Sequence, residues 1–335
     1  MNMNKIVLAF ALVLLLKQWG YGQDQQFTQF YAVPGYINPA FAGASVQSRL
    51  SAQYRNQWSA VPGGFSAFNM SYDQYLPNIS SGMGLFINYD RAGSGGLKST
   101  GVHYQYAYEA RIRRNWFFRP ALQFGYVSRS IDFNKLTFYD QMIRDNAEQS
   151  IEFGGLRPSN YFDFGTGLLT YSQKFWFGVA AFHNNNPDQS FYQGKKAPVM
   201  RKYGAHGGVR LRLKSNSLSK LDNYVVIAAN LQSQQEFDQL DLGVYYELSP
   251  VVLGVWYRGL PIKSNGYGVM NHDAVAVLFG FQAARYKFGY SYDVTVSKLG
   301  ISNTAGSHEL SLVYQWANKS NTRAKKIRIM PCAKF

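Results

Sequence analysis

Histidines are the side chains of this 335-residue chain best suited to proton transfer, and there are five of them: His103, His183, His206, His272 and His308. A hydrolase would need one of them beside a serine nucleophile and an orienting carboxylate. None lies in a recognisable nucleophile motif: two fall on the polar faces of predicted strands and three near strand ends or in loops. The pattern predicts no catalytic residue, and we do not expect an enzyme.

Metal and nucleotide motifs are also weak. Asp140, Asp145 and Glu148 share one loop, but they lack the spaced carboxylates and the glycine of a calcium loop. Residues 93–96, Gly-Ser-Gly-Gly, lack the Lys-Ser/Thr ending of a phosphate loop. Cys332 is the single cysteine, which excludes an intrachain disulfide and a multi-cysteine zinc site. We therefore expect no metal and no cofactor.

The strongest pattern is an alternation of apolar and more polar residues, clearest in residues 101–112, GVHYQYAYEARI. A period of two predicts a β-strand, because successive side chains point to opposite faces of a sheet. A soluble antiparallel sheet with one wet face would produce this pattern. A membrane barrel, with lipid outside and a polar lumen, would produce it too.

Strand length favours the barrel. Many of the predicted strands have about 10–14 residues, enough to cross a bilayer at a tilt, whereas soluble strands most often have about 5–6. About fourteen strands are predicted, at residues 46–59, 65–76, 81–91, 101–112, 115–131, 160–172, 174–184, 201–213, 222–232, 239–248, 250–259, 274–282, 286–294 and 308–316. The predicted fold is therefore all-β: a transmembrane antiparallel β-barrel of about 14 strands.

Loop lengths give an independent argument. Links after even strands are short, except residues 214–221, and the long links follow odd strands, at 92–100, 132–159, 185–200, 260–273 and 295–307. Short turns at one end and long loops at the other are typical of bacterial outer-membrane barrels, with the short turns in the periplasm. An even strand count then predicts that the N- and C-termini are both periplasmic.

Segments outside the barrel complete the predicted organisation. Residues 1–22 have Lys5 before an apolar run and small residues at the end, which predicts a signal peptide. Residues 23–44 form an N-terminal plug or periplasmic segment, residues 45–317 the outer-membrane barrel, and residues 318–335 a basic periplasmic C-terminal tail. No later apolar run is long enough for a transmembrane helix.

The net charge is +15, and charged residues make up 16% of the chain, below the ~25% of a typical soluble domain. Lys and Arg are spread along the sequence, so we do not expect nucleic acid as a partner. Dry, unpaired charges in a lumen are costly, so we expect the inward ones to pair with each other or with a plug rather than line an open channel. The predicted inward charges are Arg49, Arg55, Glu109, Arg111, Arg119, Arg129, Arg210, Arg212, Asp241, Glu247, Arg258 and Glu309.

Several blocks resemble the PorP/SprF family: Gln29-Phe30-Tyr31 with residues 36–43 (YINPAFAG), residues 54–58 (YRNQW), Tyr72-Asp73 and residues 136–141 (LTFYDQ). The resemblance spans the predicted mature chain. It implies an outer-membrane barrel of the type IX secretion system in Bacteroidota, and carries over no catalytic residue. One departure is that Met142 and Ile143 stand where many members have an aromatic residue and an acid.

The resemblance also implies a function: export or surface attachment of a partner surface protein such as a gliding adhesin. The implied partners are type IX secretion components, a secreted surface adhesin and outer-membrane lipid. Two alternatives stay open, a transport barrel for a small hydrophobic or anionic solute and a barrel lipid hydrolase. The candidate partner-binding or plug residues are Asn38, Pro39, Arg55, Trp58, Phe138, Asp140, Gln141, Arg328 and Phe335.

Overall fold

A computed structural model describes residues 24–45, 47–132, 135–143, 150, 156–213, 223–264, 270–297 and 300–317. The predicted signal peptide, the basic tail and the candidate residues Arg328 and Phe335 lie outside them. The strands are β1 (Ser48–Gln57), β2 (Phe65–Leu76), β3 (Ser81–Ala92), β4 (Leu97–Tyr108), β5 (Ala110–Arg113), β6 (Trp116–Ser130), β7 (Ser159–Tyr171), β8 (Phe175–Phe182), β9 (Lys202–Arg212), β10 (Asn223–Gln234), β11 (Phe237–Leu248), β12 (Val251–Ser264), β13 (Met270–Ala283), β14 (Tyr286–Thr295) and β15 (Ser307–Trp316).

The strands close into a ring. Every strand runs antiparallel to its neighbours, and β1 pairs with β15 from Ser48↔Trp316 to Gln57↔Ser307. β4 and β5 both pair with β6 and are separated by Glu109 alone, so together they form one strand of the wall. The molecule is therefore a closed antiparallel barrel of fourteen wall strands, as the alternation and the strand lengths predicted.

The two faces of the wall differ in polarity. In β4, Val102, Tyr104 and Tyr108 point outward, where they are 39–48% exposed, while His103 and Gln105 are buried on the inward face. The same alternation recurs in the other strands and gives a continuous outer surface of aromatic and branched apolar residues. This is the distribution expected of a barrel that is surrounded by lipid.

The links differ in length at the two ends. At one end, here called the short-turn end, links have two to four residues, at 77–80, 114–115, 172–174, 249–250 and 284–285, apart from the ten-residue link 213–222. At the other, long-loop end, the links 131–158, 183–201 and 296–306 are the longest. Two predicted long links are wrong. Residues 97–99 pair with residues 90–92, so the predicted link 92–100 is shortened to 93–96. Strand β12 extends to Ser264 and β13 begins at Met270, which shortens the predicted link 260–273.

Helical structure is limited. The described part of the chain has two short α-helices, Tyr139–Ile143 and Ile301–Thr304, and three 3-10 turns, Pro34–Tyr36, Pro39–Phe41 and Pro77–Ile79. Among the described residues, no helix is long and apolar enough to cross a bilayer.

Candidate functional site

Residues 24–44, here called the N-terminal segment, lie inside the barrel. Their contacts reach inward side chains or backbone atoms of β1, β6, β7, β9, β12, β14 and β15. The segment contains two 3-10 turns, each with proline at its first position, where the missing N–H costs nothing and the ring fixes the backbone. It therefore fills the lumen as a folded element with defined partners.

A buried ion cluster from the wall holds residues 28 and 29 of the segment; we call it the central cluster. Arg55 contacts Asp293 (2.7 Å) and Glu309 (2.9 Å), and Arg258 contacts Asp293 (3.2 Å) and Asp241 (3.0 Å). These two cations and three buried anions leave one excess negative charge, and a fourth, exposed carboxylate, Asp273, lies 4.0 Å from Arg258. Because isolated charges are costly away from water, the hydrogen-bond donors that face these carboxylates decide whether the arrangement is stable.

The N-terminal segment supplies those donors. The backbone N–H of Thr28 donates to Glu309 Oε2 (2.9 Å), and that of Gln29 donates to Oε1 (2.6 Å). The Thr28 hydroxyl donates to Asp293 Oδ2 (2.8 Å) and accepts from Arg55 (3.0 Å) and Arg258 (2.9 Å). The excess negative charge of the wall is thus met by the backbone of the segment.

Asn38 anchors the next part of the segment to the wall. Its Oδ1 accepts from the N–H of Ala40 (2.9 Å), which caps the second 3-10 turn. Its Nδ2 donates to the carbonyls of Leu168 (3.0 Å) and Val179 (3.1 Å), which face each other across β7 and β8. Asn38 can lie this close to β7 only because the neighbouring residue, Gly167, has no side chain; a Cβ there would overlap Oδ1 of Asn38.

Arg119 anchors the end of the segment. It is 0% exposed, and its guanidinium donates to the carbonyls of Ala40 (3.0 Å) and Ala42 and to Glu109 (2.6 Å). The hydroxyl of Tyr171 donates to the same carboxylate (2.9 Å). A charge in the wall therefore satisfies two segment carbonyls that would otherwise be buried without a donor.

Aromatic contacts fill the space beside these anchors. Phe30 meets Trp256 edge-on at 4.8 Å, and Tyr31 meets Tyr245 edge-on at 5.2 Å. The wall makes room with inward glycines, since a Cβ on Gly243 would overlap the Trp256 ring. The room beside this inward glycine therefore holds a large wall side chain.

Asp24 marks the long-loop end of the segment. Its carboxylate contacts Lys202 (2.9 Å) and His183 (3.0 Å), and His183 also contacts Asp163 (2.8 Å). Burial alone would lower the pKa of His183, but the carboxylates of Asp24 and Asp163 outweigh burial and raise the pKa to about 10. A cavity of about 600 Å³ adjoins this network and is lined also by aromatic residues of the link 183–201.

The position of Asp24 bears on the predicted location of the termini. Strand β15 ends at the short-turn end, whereas Asp24 lies at the opposite end of the lumen. Residues 1–23 are outside the described residues, so a periplasmic N-terminus stays a prediction.

The structure separates the candidate residues into two groups. Asn38, Pro39 and Arg55 lie in the lumen and belong to the anchors of the N-terminal segment. Trp58 follows β1 at the long-loop end, with its N–H bonded to the Gly306 carbonyl (3.0 Å) and its ring against Phe65.

The candidate loop residues remain local. Phe138 and Gln141 are joined by a hydrogen bond from the Phe138 N–H (2.9 Å), and Asp140 accepts from the Ser150 hydroxyl (2.6 Å). These three side chains therefore lie in the link 131–158 rather than with the lumen group.

Corrections to the predicted lumen charges concern two residues. Arg111 and Arg212 are exposed at the short-turn end rather than enclosed, and Arg111 donates to the carbonyl of Arg114 (2.8 Å). The predicted pairing of inward charges is confirmed for Arg49, Arg55, Arg119, Arg210 and Arg258.

Sequence reasoning missed Thr28, Asp24, His183 and Lys202 as contacts between the N-terminal segment and the wall. The N-terminal segment has no periodicity, so no pattern in it indicates which side chains meet the wall. Among the described residues, no group of three His, Cys, Asp or Glu side chains is arranged to hold a metal ion.

Solved structures similar to this chain include outer-membrane barrels. The outer membrane protein Omp33 of Acinetobacter baumannii has a TM-score of 0.44 at 7% identity, covering 82% of this chain and 100% of its own. A mutant of the Rh. blastica porin has a TM-score of 0.34 at 7% identity, covering 81% of this chain and 99% of its own. These distant likenesses add nothing to the fold, which is established by the strand pairing. No curated protein matches the chain.

The family comparison is decisive. Residues 20–314 match the family model described as "Type IX secretion system membrane protein PorP/SprF". The match covers the N-terminal segment and nearly the whole barrel, including the blocks on which the resemblance was based. The chain therefore belongs to the PorP/SprF family of type IX secretion system membrane proteins.

Proposed function

We propose that this outer-membrane barrel serves type IX secretion as a closed anchor, which holds a partner surface protein such as a gliding adhesin at its long-loop end. The observation that carries the proposal is the N-terminal segment in the lumen. A chain or solute that passed through the barrel would have to displace Thr28 from the central cluster and Asn38 and Ala42 from the wall. Binding at the end of the barrel needs no such rearrangement.

The long-loop end offers a surface suited to a protein partner. The helix in the link 131–158 exposes Tyr139, Met142 and Ile143, and Tyr139 is 75% exposed. The link 183–201 exposes Tyr192 beside Lys195. Aromatic residues and methionine are enriched in protein interfaces, and exposed apolar groups of this kind are typical of interaction sites.

The orientation follows the usual asymmetry of such barrels, with the short-turn end in the periplasm and the long-loop end outside the cell. Residue 317 would then leave the barrel on the periplasmic side, as would the basic tail. Other type IX components would contact the protein from that side, and the surface protein from the other.

Affinity purification from solubilised outer membranes tests the binding role. We expect the full-length protein to recover a secreted surface protein or a type IX component, and the Tyr139→Ala/Met142→Ala/Ile143→Ala variant to recover the surface protein at least several-fold less. Val61→Ala, in the link 58–64 at the same end, is the matched control. The proposal fails if neither class of partner is recovered under conditions that preserve known complexes.

Conductance in planar bilayers tests closure. We expect little or no steady conductance from the pure barrel, because the lumen is filled. A steady conductance that no partner alters would favour the alternative, a transport barrel for a small solute.

A further inference from the structure

Exposed cations collect at the short-turn end of the barrel. We call Arg113, Arg114, Lys174 and Arg285 the rim cations; they lie in or beside the β5–β6, β7–β8 and β13–β14 turns. The three turns are spread around the ring, since six wall strands separate β7 from β14. Within the described part of the chain, none of the four has an acidic side chain within ion-pair distance.

The acidic residues at this end do not compensate these charges. Asp73, Glu109 and Glu247 are buried on the inward face, where Arg49 (2.7 Å), Arg119 (2.6 Å) and Arg210 (2.6 Å) pair with them. Among the described residues, no acidic side chain is exposed at the short-turn end. The described part of the rim therefore carries an excess of exposed positive charge.

The position of the rim cations along the barrel axis, close to the end of the wall, favours one kind of partner. Their turns contain two or three residues, so the cations cannot project far beyond the wall. Each lies within three residues of an exposed apolar side chain of the lipid-facing band, namely Ile112, Trp116, Phe175 or Tyr286. Aromatic residues of such barrels lie at the membrane interface, where the phosphate groups of lipids are found. Cations on longer links, which project farther beyond the wall, would contact a soluble acidic domain more readily.

From these observations we infer that the rim cations bind the phosphate groups of anionic phospholipids in the leaflet around the short-turn end. Basic clusters at a membrane surface attract anionic lipids, and an arginine fork matches two phosphate oxygens. The inference depends on the barrel spanning a membrane, and it is independent of any surface-protein partner.

Lipid binding to the detergent-solubilised full-length protein tests it, with phosphatidylglycerol and phosphatidylcholine titrated in parallel and followed by native mass spectrometry. We expect a phosphatidylglycerol preference of about tenfold or more, which falls with added salt. The Arg113→Gln/Arg114→Gln/Lys174→Gln/Arg285→Gln variant should lose most of the preference. Lys195→Gln/Lys196→Gln, which neutralises exposed cations in a long-loop link, should retain it.

Two further probes separate the sources of negative charge. Inorganic phosphate at matched concentration should not displace the lipid, and polyglutamate should bind more weakly than phosphatidylglycerol. The inference is overturned by equal affinity for the two lipids, by an undiminished preference in the four-residue variant, or by tighter binding of polyglutamate, which would indicate an acidic protein. The salt dependence of the unmodified protein decides the matter if the variant fails to fold.

Discussion

Glu309→Gln is the change that most specifically loosens the N-terminal segment. Glu309 is 0% exposed, and its carboxylate accepts four hydrogen bonds, from the N–H groups of Thr28 and Gln29 and from the side chains of Gln53 (2.6 Å) and Arg55 (2.9 Å). Glutamine keeps the shape but replaces one oxygen with an NH₂ group, so two of the four donors face another donor.

The expected cost follows from those two bonds. Hydrogen bonds to a charged group contribute about 1.5–3 kcal/mol each, so the substitution costs about 3–6 kcal/mol locally. Each carboxylate oxygen accepts from one segment N–H and one wall side chain, so one of the two lost bonds, about 1.5–3 kcal/mol, belongs to residue 28 or 29. Asn38 and Arg119 still hold the later part of the segment. At about 1.4 kcal/mol per factor of ten, opening of this region becomes more frequent by a factor of about ten to a hundred.

Hydrogen–deuterium exchange of the peptide that contains Thr28 and Gln29 measures this directly. We expect faster uptake there by about one to two orders of magnitude, with unchanged uptake in the strands. Glu247→Gln is the control, because Glu247 pairs with Arg210 (2.6 Å) in the same lumen. The reasoning is refuted if the folded Glu309→Gln protein exchanges this peptide as slowly as the unmodified one, or if Glu247→Gln accelerates it equally.

Three further predictions concern the other anchors. Asn38→Ala removes the cap of the second 3-10 turn and two hydrogen bonds to strand carbonyls, and should lower the free energy of unfolding by about 2–4 kcal/mol. The barrel should then unfold at a lower temperature, as measured by the change in gel mobility on unfolding. Gly167→Ala should do similar damage by displacing Asn38, whereas Gly204→Ala, whose Cβ would have its nearest neighbour at 3.9 Å, should be nearly neutral in the same assay. The pKa of His183 is raised from 6.5 to about 10, so its ion pairs stabilise the folded protein fully below pH 6.5 and are lost as the pH rises through about 10. Hydrogen exchange near Asp24 should accelerate over that pH range, and His183→Gln should abolish this pH dependence. Equal stability of the Gly167 and Gly204 variants, or a pH profile unchanged by His183→Gln, would contradict these assignments.

Alternation in the strands was sufficient to predict the wall. A side chain every second residue faces lipid whatever its partner, so residues such as Tyr104 and Tyr108 reveal the outer face without any knowledge of the neighbouring strand. Strand ends were less predictable, because pairing continues beyond the hydrophobic band. Lys98 and Ser99 pair with Arg91 and Asp90 although neither is apolar, which shortens a link that was predicted to be long.

The interior was predictable only in part. The inward arginines and carboxylates were predictable, because they occupy the alternate positions opposite the apolar face of each strand. Opposite charges in a dry lumen pair because unpaired ones are costly. Which carboxylate meets which arginine depends on strands far apart in sequence, as for Arg55 and Asp293, and no local pattern encodes this. The same holds for Asn38: it was predicted as a candidate plug residue, but its bonds to Leu168 and Val179 depend on the pairing of β7 with β8.

A disulfide test most directly probes whether the N-terminal segment occupies the lumen. The Cβ of Ala42 lies 3.2 Å from where a Cβ on Gly84 would stand, close to the roughly 3.5–4.5 Å of a disulfide. In a Cys332→Ala background, Ala42→Cys/Gly84→Cys should form the bond quantitatively in intact outer membranes. Ala42→Cys/Leu85→Cys, with Leu85 exposed on the lipid face, should leave both thiols free. Free thiols in the first variant, or a disulfide in the second, would contradict the placement of the segment inside the barrel.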